Sequence, residues 1–292
     1  MRINKKPLIG FIGQGYVGKN YADDFEKRGY KVIRYAMEEP YRNNKEKIKE
    51  CDIVFIAVPT PTKPEGFDDS ILRSVIPLVG KGKIAVIKST MIPGTTKSIQ
   101  KENPDRVILH SPEFLREDYA AEEAARPFAN IVGMPNKTKK HKQAAKIVHS
   151  ILPKSAAYFT SSSEEAELFK YAHNASGYVQ IVLFNLIYDI SKSLNMQWRE
   201  VEKMIESDPY ISNRYAKPVH KGGRGAGGHC FIKDFAALSG IYERAVRGSL
   251  GKGVLKSISK KNIALLLSSG KDEAILKRVY GANDWRSVKR RA

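Results

Sequence analysis

The stretch PLIGFIGQGYVGKN, Pro7 to Asn20, decides the fold. A short apolar run ends on Gly13, and Gly13, Gly15 and Gly18 then fall in the spacing G-x-G-x-x-G. Before the glycines lies a strand. After them GYVGKNYADDFEKRG reads as a helix, with Tyr21 and Phe25 on one face and Gly29 just past its end. A strand, this triplet and a helix together are the dinucleotide-binding fingerprint. Gly13 permits the tight turn, Gly15 leaves room for a pyrophosphate, and Gly18 lets helix and strand pack closely. Tyr16 and Val17 open the helix, whose backbone N–H groups and partial positive charge attract phosphate.

Working outward, further apolar strands read at Tyr30–Ala36, Cys51–Pro61, Lys83–Thr90, Arg106–Pro112, Asn130–Met134 and Ala156–Ser162, with helical stretches between several of them. The run CDIVFIAVPTP is nearly all apolar, as a parallel strand covered on both faces is. Residues 1–162 therefore read as a Rossmann-type α/β domain, a doubly wound parallel sheet. From Ser163 the pattern becomes helical, and residues 163–292 read as an α-helical domain. A long helix starts at Ser163, with Glu164, Glu165 and Glu167 at the positive end of its dipole, and runs to Asn195. A second helix stops before Pro209. The glycine stretch GGRGAGG follows from Gly222, a helix reads from Lys233, and basic helices close the chain.

Composition bounds the rest. No apolar run approaches the ~18 residues that span a membrane, and the N-terminus reads as a first strand, not a signal peptide. Two cysteines, Cys51 and Cys230, are too few for a disulfide framework, so a cytoplasmic protein is expected. The net charge of +19 raises nucleic-acid binding, but there is no zinc pattern, RNA-binding aromatic motif or basic zipper. Phosphate-bearing small molecules are the expected partners, no metal site is expected, and the tail VKRRA reads as a solvated end. Cofactor choice stays open. An acid that holds the ribose of NAD is expected ~20 residues past the glycines. The second strand instead ends Arg34-Tyr35-Ala36, with Glu38 and Glu39 slightly late. Arg34 suits the 2′-phosphate of NADP as well as a solvated strand end.

Ligands of open α/β sheets bind outside the carboxyl ends of the strands. AVPTPT, KSTMIPGT and SPEFLRE follow three such ends, so Thr60, Thr90 and Glu113 are expected to line one crevice. The stretch GGRGAGGHCFIKDF sets Cys230 behind five glycines, where backbone must approach something closely. Cys51, at the start of a core strand, reads as a buried apolar residue. His229 beside Cys230 is not expected to be its base, because adjacent residues of an extended chain point opposite ways.

GQGYVG, FIAVPTPT, KSTMIPGT, SPEFLRE, AELFKYAHNA and GGHCFIKDFAAL, in that order over residues 8 to 240, resemble the UDP-glucose and GDP-mannose dehydrogenase family. The resemblance implies oxidation of a sugar CH₂OH to a carboxylate by two hydride transfers to NAD. It implies Cys230 as nucleophile, Lys170 and Asn174 as oxyanion or proton-transfer groups, and Asp234 positioning water or Lys170. Glu113 would serve thioester hydrolysis, with Thr90 holding the water. Thr60, Thr90 and Lys233 would meet the cofactor, and Phe114, Leu115, Arg116, Tyr215, Arg224 and Gly227 an anionic sugar. A homodimer packed through the long helix, apolar on more than one face, is also implied. The family continues for another hundred or more residues as a nucleotide-holding domain, whereas this sequence ends at Ala292 without that βαβ pattern. Tyr210-Ile211-Ser212 replaces the family's R-I-G, Ala226 replaces its loop aromatic, and Arg224 is an added cation. Oxidation chemistry is thus expected intact and nucleotide recognition altered or missing. The competing expectations are a two-electron hydroxyacid dehydrogenase and a non-catalytic binding or assembly protein.

Overall fold

The structure, a computed structural model, describes residues 6–220 and 222–289, so most of the VKRRA tail lies outside the described residues. The chain forms two compact units. The first takes residues up to Thr60 together with Asp69–Lys170, and the second takes Pro61–Asp68 and everything from Tyr171. The pattern change at Ser163 marks the start of a helix, and the first two turns of that helix belong to the first unit.

In the first unit β1 (Ile9–Ile12), α1 (Tyr16–Lys27), β2 (Val32–Tyr35) and β3 (Ile53–Ile56) come first. The hairpin β4 (Thr62–Lys63) and β5 (Gly66–Phe67) departs to the second unit. The chain returns as α2 (Ser70–Val75), β6 (Ile84–Ile87), α3 (Thr95–Glu102), β7 (Val107–His110), α4 (Ala120–Ala125), β8 (Ala129–Met134), α5 (Lys139–Ile151) and β9 (Ala157–Ser162). The sheet order is β2-β1-β3-β6-β7-β8-β9. Strands β2, β1, β3, β6 and β7 are parallel, in the doubly wound order whose topological switch lies between β1 and β3. Beyond β7 the sheet differs from the all-parallel expectation: β8 pairs antiparallel with β7, and β9 runs parallel to β8. A parallel return needs a crossover of a dozen or more residues, usually a helix. Here the connection is spent on the SPEFLRE loop and the six-residue α4, which packs on α1, so β8 enters from the opposite end.

The core explains why these segments are strands. All four residues of β1, β3 and β7 are buried. Phe11 stacks on Phe55 at 5.1 Å, and Phe25 of α1 closes on both at 5.6 and 5.2 Å. Each such ring contributes roughly 1.5–3 kcal/mol by leaving water. Cys51 is fully buried beside this sheet, and burial pushes its thiol up to about 12, as befits an inert core residue.

The second unit is helical. It holds α6 (Ser163–Ser193) from Tyr171 onward, α7 (Trp198–Ser207), a hairpin β10 (Val219–His220) and β11 (Gly223–Arg224), then α8 (Gly228–Ala245), α9 (Ser249–Ser268) and α10 (Glu273–Lys289). Tyr178 of α6 lies flat on Phe235 of α8, 4.0 Å between centroids, and Ile232, Ile263, Leu266, Leu276 and Val279 form a second cluster. Helix α8 begins at Gly228, not at Lys233. Its first turn is held from elsewhere in the unit, where the Gly228 N–H donates to Asp272 Oδ2 at 2.7 Å. Among the described residues no helix is long and apolar enough to cross a membrane.

Candidate active site

In the first unit the glycine loop follows β1. Gly13 has φ +88°, and a Cβ there would stand 2.3 Å from the Ala57 carbonyl oxygen at the end of β3. A Cβ on Gly18 would stand 1.9 Å from the Gly13 carbonyl oxygen. Gly15 differs: a Cβ there meets nothing within 4 Å. Gly15 is also the N-cap of α1, which has no side-chain cap and no acid in its first turn. Two glycines are thus fixed by backbone contact and the third opens space over a helix N-terminus, which fits the pyrophosphate of a dinucleotide. Tyr16 and Val17 form the start of that helix. At the end of β2, Arg34 is engaged inside the unit: its guanidinium donates to both Glu26 oxygens at 3.0 and 2.7 Å and pairs with Asp23 at 2.7 Å.

The loops after β3 and β6 are fastened together. Thr60 Oγ1 donates to the Thr90 carbonyl at 2.7 Å, and Ser89 Oγ accepts from Val58 N–H and donates to Val58 O. Glu113, in the loop after β7, is buried; its Oε2 accepts from Leu115 N–H at 2.8 Å. Lys170 of α6, also buried, donates to the Glu113 carbonyl at 2.7 Å, with Oε1 at 3.4 Å. Phe114 packs against Phe128 and Phe169 and beneath the Lys170 ammonium at 5.2 Å. Arg116 pairs with Glu123 at 2.6 Å and lies over Tyr119.

Glu167, read from sequence only as a helix-start acid, and two residues that sequence reasoning passed over, Lys88 and His110, complete this region. Glu167 accepts from the N–H groups of Gly94 and Thr96 and from Thr96 Oγ1 at 2.6–2.8 Å, capping α3 and anchoring the Thr90 loop to α6. Burial pushes Glu167 up to about 7 against these donors. Lys88 is buried with Nζ 3.3 Å from the Ser111 carbonyl and 4.1 Å over the Tyr21 ring, and burial brings it down to about 8. His110 is fully buried and donates through Nδ1 to the Ile87 carbonyl; burial first, then Lys88 and Lys170, bring it down to about 3 from 6.5. Because the folded pKa of His110 lies below the unfolded one, its contribution is present above pH 6.5 and is lost as pH falls toward 3. In that window stability is expected to fall by up to about 1.4 kcal/mol per pH unit from this group alone. His110→Gln is expected to flatten the slope, read from urea unfolding at several pH values; an unchanged slope refutes it. A polar residue inside an apolar strand was the available sequence signal for Lys88 and His110.

In the second unit Cys230 is the third residue of α8, and Asp234 stands one turn further on. Asp234 is buried and accepts from Asn174 Nδ2 and from Lys233 Nζ, each at 2.5 Å. His229 and Cys230 are adjacent on the helix and do not face each other. Asn262, read from sequence as part of a basic surface helix, pins the loop before the cysteine by bonding both backbone groups of Ala226. Gly227 is fixed by packing, since a Cβ would stand 2.1 Å from Asp272 Oδ2. Tyr215 packs on Phe231. Arg224 is bound to Asn185 Oδ1 at 2.7 Å and Asp189 at 2.5 Å.

Residues 36–152 match the sequence profile of the UDP-glucose/GDP-mannose dehydrogenase family NAD binding domain, and residues 164–262 match that family's central domain. The chain belongs to the UDP-glucose/GDP-mannose dehydrogenase family. It is 27% identical over 279 residues to a UDP-glucose 6-dehydrogenase of Rickettsia felis, covering 89% of this chain and 60% of that protein. The chain thus spans about 60% of the length of such relatives. In fold it is similar to a UDP-glucose dehydrogenase from Pyrobaculum islandicum, with a TM-score of 0.76 and 23% identity over 91% of this chain and 71% of that one. It is also similar to a 3-hydroxyisobutyrate dehydrogenase from Mycobacterium tuberculosis, with a TM-score of 0.68 and 14% identity over 88% of this chain and 94% of that one. The segment matching the NAD-binding domain begins after the glycine cradle and carries Thr60, Thr90 and Glu113, and the segment matching the central domain carries Lys170, Asn174, Cys230 and Asp234.

Proposed function

We propose that the protein oxidises the primary alcohol of an anionic sugar, of the nucleotide-sugar type, to the carboxylate in two two-electron steps. The observation that carries this reading is the first turn of α8, where Cys230 stands one turn from a buried Asp234 held by Asn174 and Lys233. NAD, when bound, supplies the hydride acceptor for each oxidation. The chain's residues supply the rest. Lys170 and Asn174, one turn apart on α6, oppose the negative charge that develops on the sugar oxygen. Cys230 adds through sulfur to the aldehyde carbon, and its place at a helix N-terminus favours negative charge there. The thiohemiacetal so formed, on losing a second hydride, becomes a thioester. Glu113 takes a proton from the water that cleaves the thioester, which returns the thiol and releases the acid. We assign Thr60 and Thr90 to the cofactor side. Phe114, Leu115 and Tyr215 fall to the sugar side. Arg34 ties β2 to α1, Arg224 ties β11 to α6 and Arg116 pairs with Glu123, each through the carboxylates already named.

The test is a screen of nucleotide sugars and hexose phosphates with NAD or NADP, followed at the nicotinamide absorbance. Turnover with a hydroxyacid alone would favour a two-electron reading, to which the fold likeness over 94% of the hydroxyisobutyrate enzyme lends support. We further propose a cytoplasmic homodimer. Val179, Leu183, Leu186 and Ile190 form an exposed apolar stripe along one face of α6. Leu183→Arg with Leu186→Arg is expected to convert a dimer into a monomer in sedimentation velocity at micromolar protein. A wild-type monomer there overturns the proposal.

A further inference from the structure

The segment NKTKKHK, Asn136 to Lys142, plays no part in the oxidation just described. Its lysines sit in a place that electrostatics disfavours. Helix α5 starts at Lys139 with Thr138 as N-cap, and its first residues are Lys139, Lys140, His141 and Lys142, with no acid among them. A helix N-terminus carries about half a positive charge, so acids stabilise it and cations destabilise it. Of these residues Lys140 and His141 border a cavity of about 450 Å³ within the first unit, together with Lys97, Lys101 and Arg106. The floor is polar and fixed. Gln100 and His141, both more than nine-tenths buried, are joined by a 2.9 Å hydrogen bond between Gln100 Oε1 and His141 Nε2. Gln100 Nε2 also donates to the Asn103 and Arg106 carbonyls.

Local acids leave a defined excess of charge. Lys97 is paired with Glu164 at 3.3 Å, and Arg106 with Asp105 at 2.5 Å. Glu102 is taken by Arg73. Lys101 and Lys140 have no ion pair among the described residues, so two cations border the cavity uncompensated. The cavity lies at the amino end of β7, which Arg106 precedes, and β1 is parallel to β7 through β3 and β6. It is therefore at the end of the sheet opposite the glycine loop.

We propose that this cavity is a second anion site, built for a phosphomonoester-bearing small molecule and separate from the dinucleotide cradle. Such a group carries about two negative charges near neutral pH, which matches the uncompensated lysines. A phosphodiester backbone carries single charges in a row and is tracked by a groove. Here the cations converge from α3, α5 and the turn before β7 on one cavity, so a small ligand is favoured over nucleic acid. The proposal concerns the first unit alone and does not depend on the oxidation.

The probe is inorganic phosphate, titrated calorimetrically into the full chain at low salt with saturating NAD to occupy the glycine loop. Wild type is expected to bind phosphate, and Lys101→Ala with Lys140→Ala to weaken it tenfold or more. Lys140→Glu gives an independent reading, because it places an acid in the first turn of α5. In phosphate-free buffer it is expected to raise the melting temperature while binding is lost. Equal binding by wild type and the double variant, or loss of phosphate binding on adding NAD, overturns the proposal. So does a short single-stranded oligonucleotide that outcompetes phosphate and depends on the same two lysines, which would make the face a nucleic-acid surface.

Discussion

Cys230→Ser is expected to abolish acid production by about 10³-fold or more while leaving cofactor binding and the melting temperature close to wild type. The thiol is at the start of α8, where its replacement by a hydroxyl changes no packed core residue. In the proposed mechanism the change acts on the second oxidation. A serine hydroxyl is a weak nucleophile without an adjacent base, and His229 does not face it. The first oxidation needs no sulfur, so NADH released per sugar should fall from two to at most one, with aldehyde left in solution or held slowly on the protein. The measurement is NADH stoichiometry in a single turnover, with mass spectrometry of the intact chain. If wild type gives one NADH per sugar and Cys230→Ser matches its rate, the two-electron reading replaces the four-electron one.

Lys170→Ala should act on both oxidations. Its ammonium is buried against Glu113, where a fixed cation works in a low-dielectric setting and needs no reorganisation. Losing such a partner typically costs ~10²–10³-fold in rate. The variant also releases the Glu113 carbonyl, so thermal stability must be measured beside the rate. Lys170→Arg separates the two roles: it retains a cation but not the geometry that reaches Glu113. A kcat within threefold of wild type for Lys170→Ala would remove the lysine from the mechanism.

Much of the fold was legible because its signals are local. The glycine triplet, the apolar strands and the acidic start of α6 each sit within a dozen residues, and the structure places strands and helices where those patterns are. The reversal of β8 was not legible. Strand direction follows from how α4 lies on α1, which is a contact between distant segments. The early start of α8 was hidden for the same reason, since Asp272, forty-four residues away, makes the bond that fixes Gly228. Candidate site residues could be named from motif order, but their partners could not. Nothing local says that Arg34 is taken by Asp23 and Glu26, that Arg224 is taken by Asp189, or that Asn262 holds Ala226.

The hairpin of β4 and β5 means that the chain crosses between its two units three times, at residues 60/61, 68/69 and 170/171. Its strands pack on α8 and α10, and Gly281 approaches Pro64. Neither unit is therefore a continuous piece of polypeptide. A fragment cut at the α6 boundary would deprive the helical unit of a hairpin supplied from the other half of the gene. Truncation, domain grafting and circular permutation must accordingly carry residues 61–68 with the helices, or restore them as an added peptide. During synthesis, too, the hairpin emerges long before its binding partners exist, so it must wait for α8 and α10 before it is covered.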